Sequence, residues 1–162
     1  MHIVGLLLVV AFLSGCGFKS DTICDFPVVA PSDIDDGKGT AQKDGQPFDG
    51  EATWAPGGNA SVTLGLLDMT VAQDQTGTAF DQLVGDGTLP FCVPLAERSE
   101  SSGQASFNES PGFVTDAVHT GRIVILGFSG DILSGRFEVE LSSPNGGQTL
   151  SFTDGEFRAR HR

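Results

Sequence analysis

Arg136-Phe137-Glu138-Val139-Glu140-Leu141 sets charged and apolar side chains in strict alternation, the period of a strand with one wet face and one buried face. The residues that follow, Ser143-Pro144-Asn145-Gly146-Gly147, favour a turn, and Thr149-Leu150-Ser151-Phe152 resumes the alternation on the way back. Upstream, Val118 to Leu126 is rich in branched side chains. Downstream, Asp154-Gly155 precedes a last strand that aims Phe157, Ala159 and His161 one way and Arg158, Arg160 and Arg162 the other. The final third therefore predicts an antiparallel meander.

The same signature continues toward the amino terminus. Phe48, Gly50, Ala52 and Trp54 alternate with Asp49, Glu51 and Thr53; Pro56-Gly57-Gly58-Asn59 marks a turn; Val62, Leu64 and Leu66 form the returning strand of a hairpin. Met69 to Ala72 extends that strand or begins the next. Phe91-Cys92-Val93 lies between Pro90 and Pro94, and since proline donates nothing to a ladder this piece belongs on an edge. Glu97 to Gly103 reads as a polar loop, Gln104 to Asn108 as a short strand, and Ala79 to Val84 as either a helical turn or a strand. Helical periodicity is weak throughout. Short strands about ten residues apart, punctuated by Gly, Asp and Pro, predict a single all-β domain, an antiparallel sandwich or barrel over residues 47–162. Its core draws on Phe48, Trp54, Val62, Leu64, Ile123, Ile125, Phe137, Val139, Leu150, Phe152 and Phe157. Residues 16–46, rich in Asp, Gly, Pro and Ser, read as a tether and irregular lead-in.

Residues 1–15 are an address rather than part of the fold. Ile3 to Leu13 reads IVGLLLVVAFL, long enough for the apolar heart of an export signal and short of the ~20 residues that span a bilayer. Leu13-Ser14-Gly15-Cys16 follows directly. That tetrad resembles the lipobox of bacterial lipoproteins, in which an aliphatic residue and two small ones precede a cysteine that is lipidated before cleavage. The resemblance implies that Cys16 becomes the first mature residue, with two acyl chains on sulfur through diacylglycerol and a third on its amino group, enough to hold the protein on a membrane. Met1-His2 departs from the pattern by lacking the usual Lys or Arg. Gly17, where enterobacterial lipoproteins kept at the inner membrane carry Asp, points by that family rule to the outer membrane. Ser134-Gly135-Arg136-Phe137 and Thr153-Asp154-Gly155-Glu156-Phe157 resemble the closing strands of small all-β envelope lipoproteins, where a pair such as SGxF and DGxF ends the domain. This likeness implies a fold and a cellular class, and no activity.

With Cys16 assigned to lipid, Cys24 and Cys92 remain as an even pair in an exported chain, and a disulfide between them is expected over two free thiols. The pair lacks CxxC spacing, so a redox or zinc role has no support.

Charge narrows the partners. Nine Lys and Arg against 21 Asp and Glu leave −12, which disfavours nucleic acid and anionic lipid headgroups; membrane contact is expected through the acyl anchor alone, with an envelope protein or glycan as the open partner class. Up to Asp116 the chain holds 16 acidic and 4 basic side chains, and after it 5 of each. Arg158, Arg160 and Arg162 would meet an anionic glycan or the protein's own acidic face, or guard an exposed strand edge against aggregation.

No cofactor is implied beyond the covalent lipid, and no residue is marked as catalytic. Asp33, Asp35 and Asp36 ahead of Gly37 suggest a calcium loop, but Gly37 stands where a third ligand belongs and Asp44 replaces poorly the closing Glu, so a solvated acidic linker is the simpler reading. His119 and His161 lack the further ligands of a zinc site. Gly127-Phe128-Ser129-Gly130 has the wrong spacing for a nucleophile elbow and reads as a turn. Asp81 with Asp86, and Glu97 with Glu100, read as loop solubility, and the single Trp54 as core. The expected function is a lipid-anchored binding or structural module of the cell envelope. Its rivals are an envelope hydrolase with an unmarked active site, which would show a cleft joining His119 to a carboxylate and a hydroxyl, and a calcium-dependent adhesion module.

Overall fold

The computed structural model describes residues 33–56, 60–71, 89–97 and 102–162. Ten strands follow in chain order: β1 (Lys38–Lys43), β2 (Gln46–Ala55), β3 (Ser61–Leu64), β4 (Leu67–Thr70), β5 (Phe91–Leu95), β6 (Gln104–Phe107), β7 (Phe113–Val114), β8 (Gly121–Ser129), β9 (Ile132–Ser142) and β10 (Thr149–His161). They form one sheet in the order β1-β10-β2-β3-β4-β6-β7-β9-β8-β5, and β10 pairs with β9 as well. Pairing from β2 through β3, β4, β6, β7 and β9 thus returns through β10 to β2, closing the sheet as a barrel. Closure hides edges that would otherwise offer unpaired backbone to another chain. β5 hangs on β8 with a single bridge from Leu95 to Gly103 on its other side, the edge position its flanking prolines require.

The inward face is filled. Phe107, Phe137, Phe152, Phe157, Leu64, Leu67, Met69, Leu95, Ile123, Ile125 and Leu133 are wholly buried. Ten of the eleven core residues expected from the alternation lie in the buried cluster, and the eleventh, Phe48, is partly buried and packs against it. Phe48, Phe107 and Phe152 meet edge-on or tilted at centroid distances of 5.3 to 6.1 Å, a preferred arrangement for aromatic rings.

Leu66 departs from the sequence reading, since β3 ends at Leu64 and Leu66 stands 50% exposed in the turn before β4, and two larger features depart as well. The lead-in does not stay irregular to residue 46, because Lys38–Lys43 pairs with both β2 and β10. Asp44 and Gly45 both take positive φ, 49° and 75°, the two-residue turn that suits a right-twisted hairpin, and Ala41 is buried behind it. The second departure is Asp154-Gly155, which does not separate two strands. Between Phe152 and Gly155 the register against β9 slips by one residue, and β10 runs on through a bulge with Asp154 at φ 52°.

Thr115, 2% exposed, stitches the join between β5, β6 and β7. Its hydroxyl donates to the Ala96 carbonyl at 2.7 Å and accepts from the Ala105 N–H at 3.1 Å. Thr115→Val keeps the shape and strands both groups, so a loss of about 1–3 kcal/mol in denaturant unfolding is expected. A midpoint equal to wild type would show that other partners replace the hydroxyl.

Candidate functional site

A groove of about 500 Å³ runs across the outer face of β5, β8, β9 and β10. Gly121 lies in its lining, where a Cβ would run into the Glu138 carbonyl and Val139 on β9, so the close approach of the two strands needs glycine. The walls follow from cross-strand pairing: Pro94 faces Arg122, Arg122 faces Glu138, and Glu140 faces Ser151. Arg122 and Glu138 are joined by an ion pair of 2.8 Å, so the guanidinium's charge is largely spent within the wall. The lining is mixed and more apolar than polar, with Pro94, Leu95 and Ala96 beside the hydroxyls of Thr120, Ser151 and Thr153 and the carboxylates of Glu138 and Glu140.

Beside it lies a tighter arrangement that the sequence did not announce. The loop between β7 and β8 turns on Asp116, whose Oδ1 accepts the N–H groups of Val118 and His119 at 2.7 Å each. Asp116 Oδ2 accepts Nδ1–H of the His119 ring at 2.9 Å and the Ser142 hydroxyl at 2.5 Å. This donor set holds the Asp116 carboxyl well below the usual carboxylate range. The His119 N–H contributes most, followed by the Ser142 hydroxyl, the His119 ring and the Val118 N–H.

A carboxylate, a histidine and a hydroxyl are thus gathered, in the wrong order for acyl transfer. A serine nucleophile passes its proton to the ring nitrogen opposite the carboxylate. Here the 5%-exposed Ser142 donates to the carboxylate itself, while His119 Nε2 stands 3.9 Å from Glu140 Oε1, beyond hydrogen-bond reach. The arrangement pins the β7–β8 loop to the end of β9. Asp116→Asn is expected to destabilise the domain at neutral pH. Because the folded carboxyl is depressed, its contribution is complete above the ordinary value of 3.8 and is lost as pH falls below it. The difference in melting temperature between wild type and variant should therefore shrink from pH 7 to pH 2; a constant difference would show that the charge is not what matters.

The other candidates fall out as follows. Asp36 is engaged by Arg158 Nε at 2.7 Å, Asp33 and Asp35 are exposed, and no cluster of three metal-ligating side chains occurs among the described residues. The idea that the arginines guard an edge is overturned: β10 is paired on both sides, by β9 and by β1 and β2. Arg158 instead meets the acidic Asp36, and Arg162 donates to Thr53 and Thr63 at 2.8 Å. Trp54 is core, 6% exposed, its Nε1–H on the Asp131 carbonyl and its ring against Phe128 and His161. Gly127 pairs with Ser134, and Gly130 lies in the β8–β9 turn at φ 64°, so that run is strand and turn. Glu97 supplies a backbone carbonyl to the Ser102 hydroxyl. Cys92 is disulfide-bonded. Cys16, Cys24, Asp81, Asp86, Glu100 and the segment Ala79 to Val84 lie outside the described residues.

Comparisons with family models, curated proteins and solved structures find no match for this chain.

Proposed function

We propose that this chain is a lipoprotein of a bacterial cell envelope, acylated on Cys16 and carrying its β-barrel on the membrane surface as a binding or structural module. The observation that carries this reading is the apolar run Ile3 to Leu13 closed by Leu13-Ser14-Gly15-Cys16. Two features support it. A disulfide at Cys92 suits an oxidising compartment outside the cytoplasm. A closed barrel with a filled interior suits a module that works through its surface. Gly17 favours the outer membrane as the destination, and the groove over β8 and β9 is a surface that could take a ligand. Metabolic labelling with a fatty acid tests the anchor. The wild-type chain should take up label and Cys16→Ala should lose it, whereas equal labelling of the two would refute acylation at this site.

A further inference from the structure

We propose that the groove over β8 and β9 binds a small aliphatic amine, with its ammonium group held between His119 Nε2 and the Glu140 carboxylate and its carbon stem laid toward Pro94 and Ala96. The site rests on the reading of this groove as a ligand surface and not on acylation of Cys16. A pair of acceptors marks the place. The Asp116 carboxylate takes Nδ1–H of His119, which leaves a lone pair on Nε2 of the neutral ring. Glu140 Oε1 stands 3.9 Å from that atom, too far for a hydrogen bond between them. Glu140 and Thr120, the residue next to His119, both line the groove, and the Glu140 N–H donates to the Thr120 carbonyl at 3.0 Å. Two acceptors so placed at the margin of a groove call for a donor between them.

Charge and lining choose the donor. Among the described residues Glu138 is paired with Arg122, and no Lys or Arg pairs with Glu140, so the groove keeps a negative charge that repels anions and draws cations. A zinc-like ion would want a third side-chain ligand, and no cluster of three metal-ligating side chains occurs among the described residues. A hydrated alkali ion would gain nothing from the apolar part of the lining. An alkyl ammonium uses both parts. Its nitrogen, placed about 2.8 Å from His119 Nε2 and from Glu140 Oε1, would see them roughly 90° apart, close to its own tetrahedral spread. Ser151, the cross-strand partner of Glu140, gives its hydroxyl proton to Asp44 Oδ1 at 3.2 Å and so presents lone pairs as a further acceptor. Leu95 pairs with Gly121, which places Ala96 two strand spacings from Glu140. That distance is about 10 Å, the reach of an ammonium on a stem of about five carbons. A volume of about 500 Å³ lies in the range of small-molecule sites.

Titration of the full chain, purified in non-ionic detergent, with pentylamine tests the site by NMR. The amide signals of Thr120 and Glu140, and the His119 Nε2 signal in a long-range proton–nitrogen spectrum, should shift saturably. Glu140→Gln changes a side chain that is 54% exposed, so the rest of the spectrum should stay in place while binding weakens about tenfold. Tetramethylammonium, with the same charge and no N–H, should bind at least about tenfold more weakly than pentylamine. Absence of shifts with pentylamine, equal affinity for the two cations, or wild-type affinity in Glu140→Gln would each overturn the site. Zinc ions that move the His119 signal where pentylamine does not would show a metal site in its place, and a lysine peptide that binds where pentylamine does not would make the occupant a polypeptide; either result overturns the amine. The titration reads the groove whether or not Cys16 carries lipid. Its failure leaves acylation standing, and a chain that takes up no fatty acid leaves the amine site standing.

Discussion

Gly135→Ala and Gly155→Ala should each destabilise the barrel by about 3 kcal/mol, a large effect for one methyl group. Neither glycine has a positive φ, so conformational freedom is not the reason. Space is. The two motifs Ser134-Gly135-Arg136-Phe137 and Asp154-Gly155-Glu156-Phe157 run antiparallel, with Gly155 opposite Phe137 and Phe157 opposite Gly135. Each ring lies over the other strand's glycine, and a Cβ on Gly155 would come 2.5 Å from the Phe137 ring, as would one on Gly135 from the Phe157 ring. A ring over a cross-strand glycine fills what the glycine leaves empty and fixes the register. The consequences for rescue differ. On Gly155 the three atoms nearest to the added one all belong to the Phe137 ring, so Phe137→Leu should remove most of the penalty of Gly155→Ala. On Gly135 it also meets the Val124 carbonyl, which cannot move aside, so Phe157→Leu should not rescue Gly135→Ala. Additive energies in the first pair, measured by urea unfolding, would show that the ring is not the obstacle.

The second large effect is expected at Phe152. This side chain is fully buried, opposite Val139 on β9 and Lys43 on β1, with the Phe48 and Phe107 rings at centroid distances of 5.3 and 5.4 Å. Phe152→Ala leaves a void bounded by ladder-paired backbone that cannot collapse, so a loss of about 3–5 kcal/mol is expected. Phe128→Ala makes the contrast. Its ring is 38% exposed at the end of the β8–β9 hairpin and touches Trp54 from one side, so it should cost about 1 kcal/mol or less. Equal losses at the two positions would contradict the placement of the core.

The strands that alternate apolar and charged residues were legible because one barrel face is dry. Arg136 to Leu141 and Phe48 to Trp54 name their own inward sides, and the core follows from them. β1 was not legible, since Gly39 and Ala41 are its buried positions and neither marks an apolar face. The dipeptide Asp-Gly occurs at both corrections with opposite outcomes. At residues 44–45 both members take positive φ and the chain reverses. At residues 154–155 only Asp154 does, and neighbours already paired on both sides carry β10 onward. Local sequence is the same; the ladder decides. The Asp116 arrangement was half visible: His119 stood out, but Ser142 lies 26 residues from Asp116 and only the closure of β7 onto β9 brings them together. The two Gly-x-Phe pairs, Gly135 with Phe137 and Gly155 with Phe157, have their physical account in two rings packed over two cross-strand glycines.

The proposed function puts the acyl chains on Cys16, as the first residue of the mature protein. Intact mass spectrometry of protein extracted from membranes tests it most directly. The mass should equal the chain from Cys16 to Arg162, less two hydrogens for one disulfide, plus diacylglycerol and an amide-linked acyl chain. A mass equal to the unmodified chain from Met1, recovered without detergent, would contradict it.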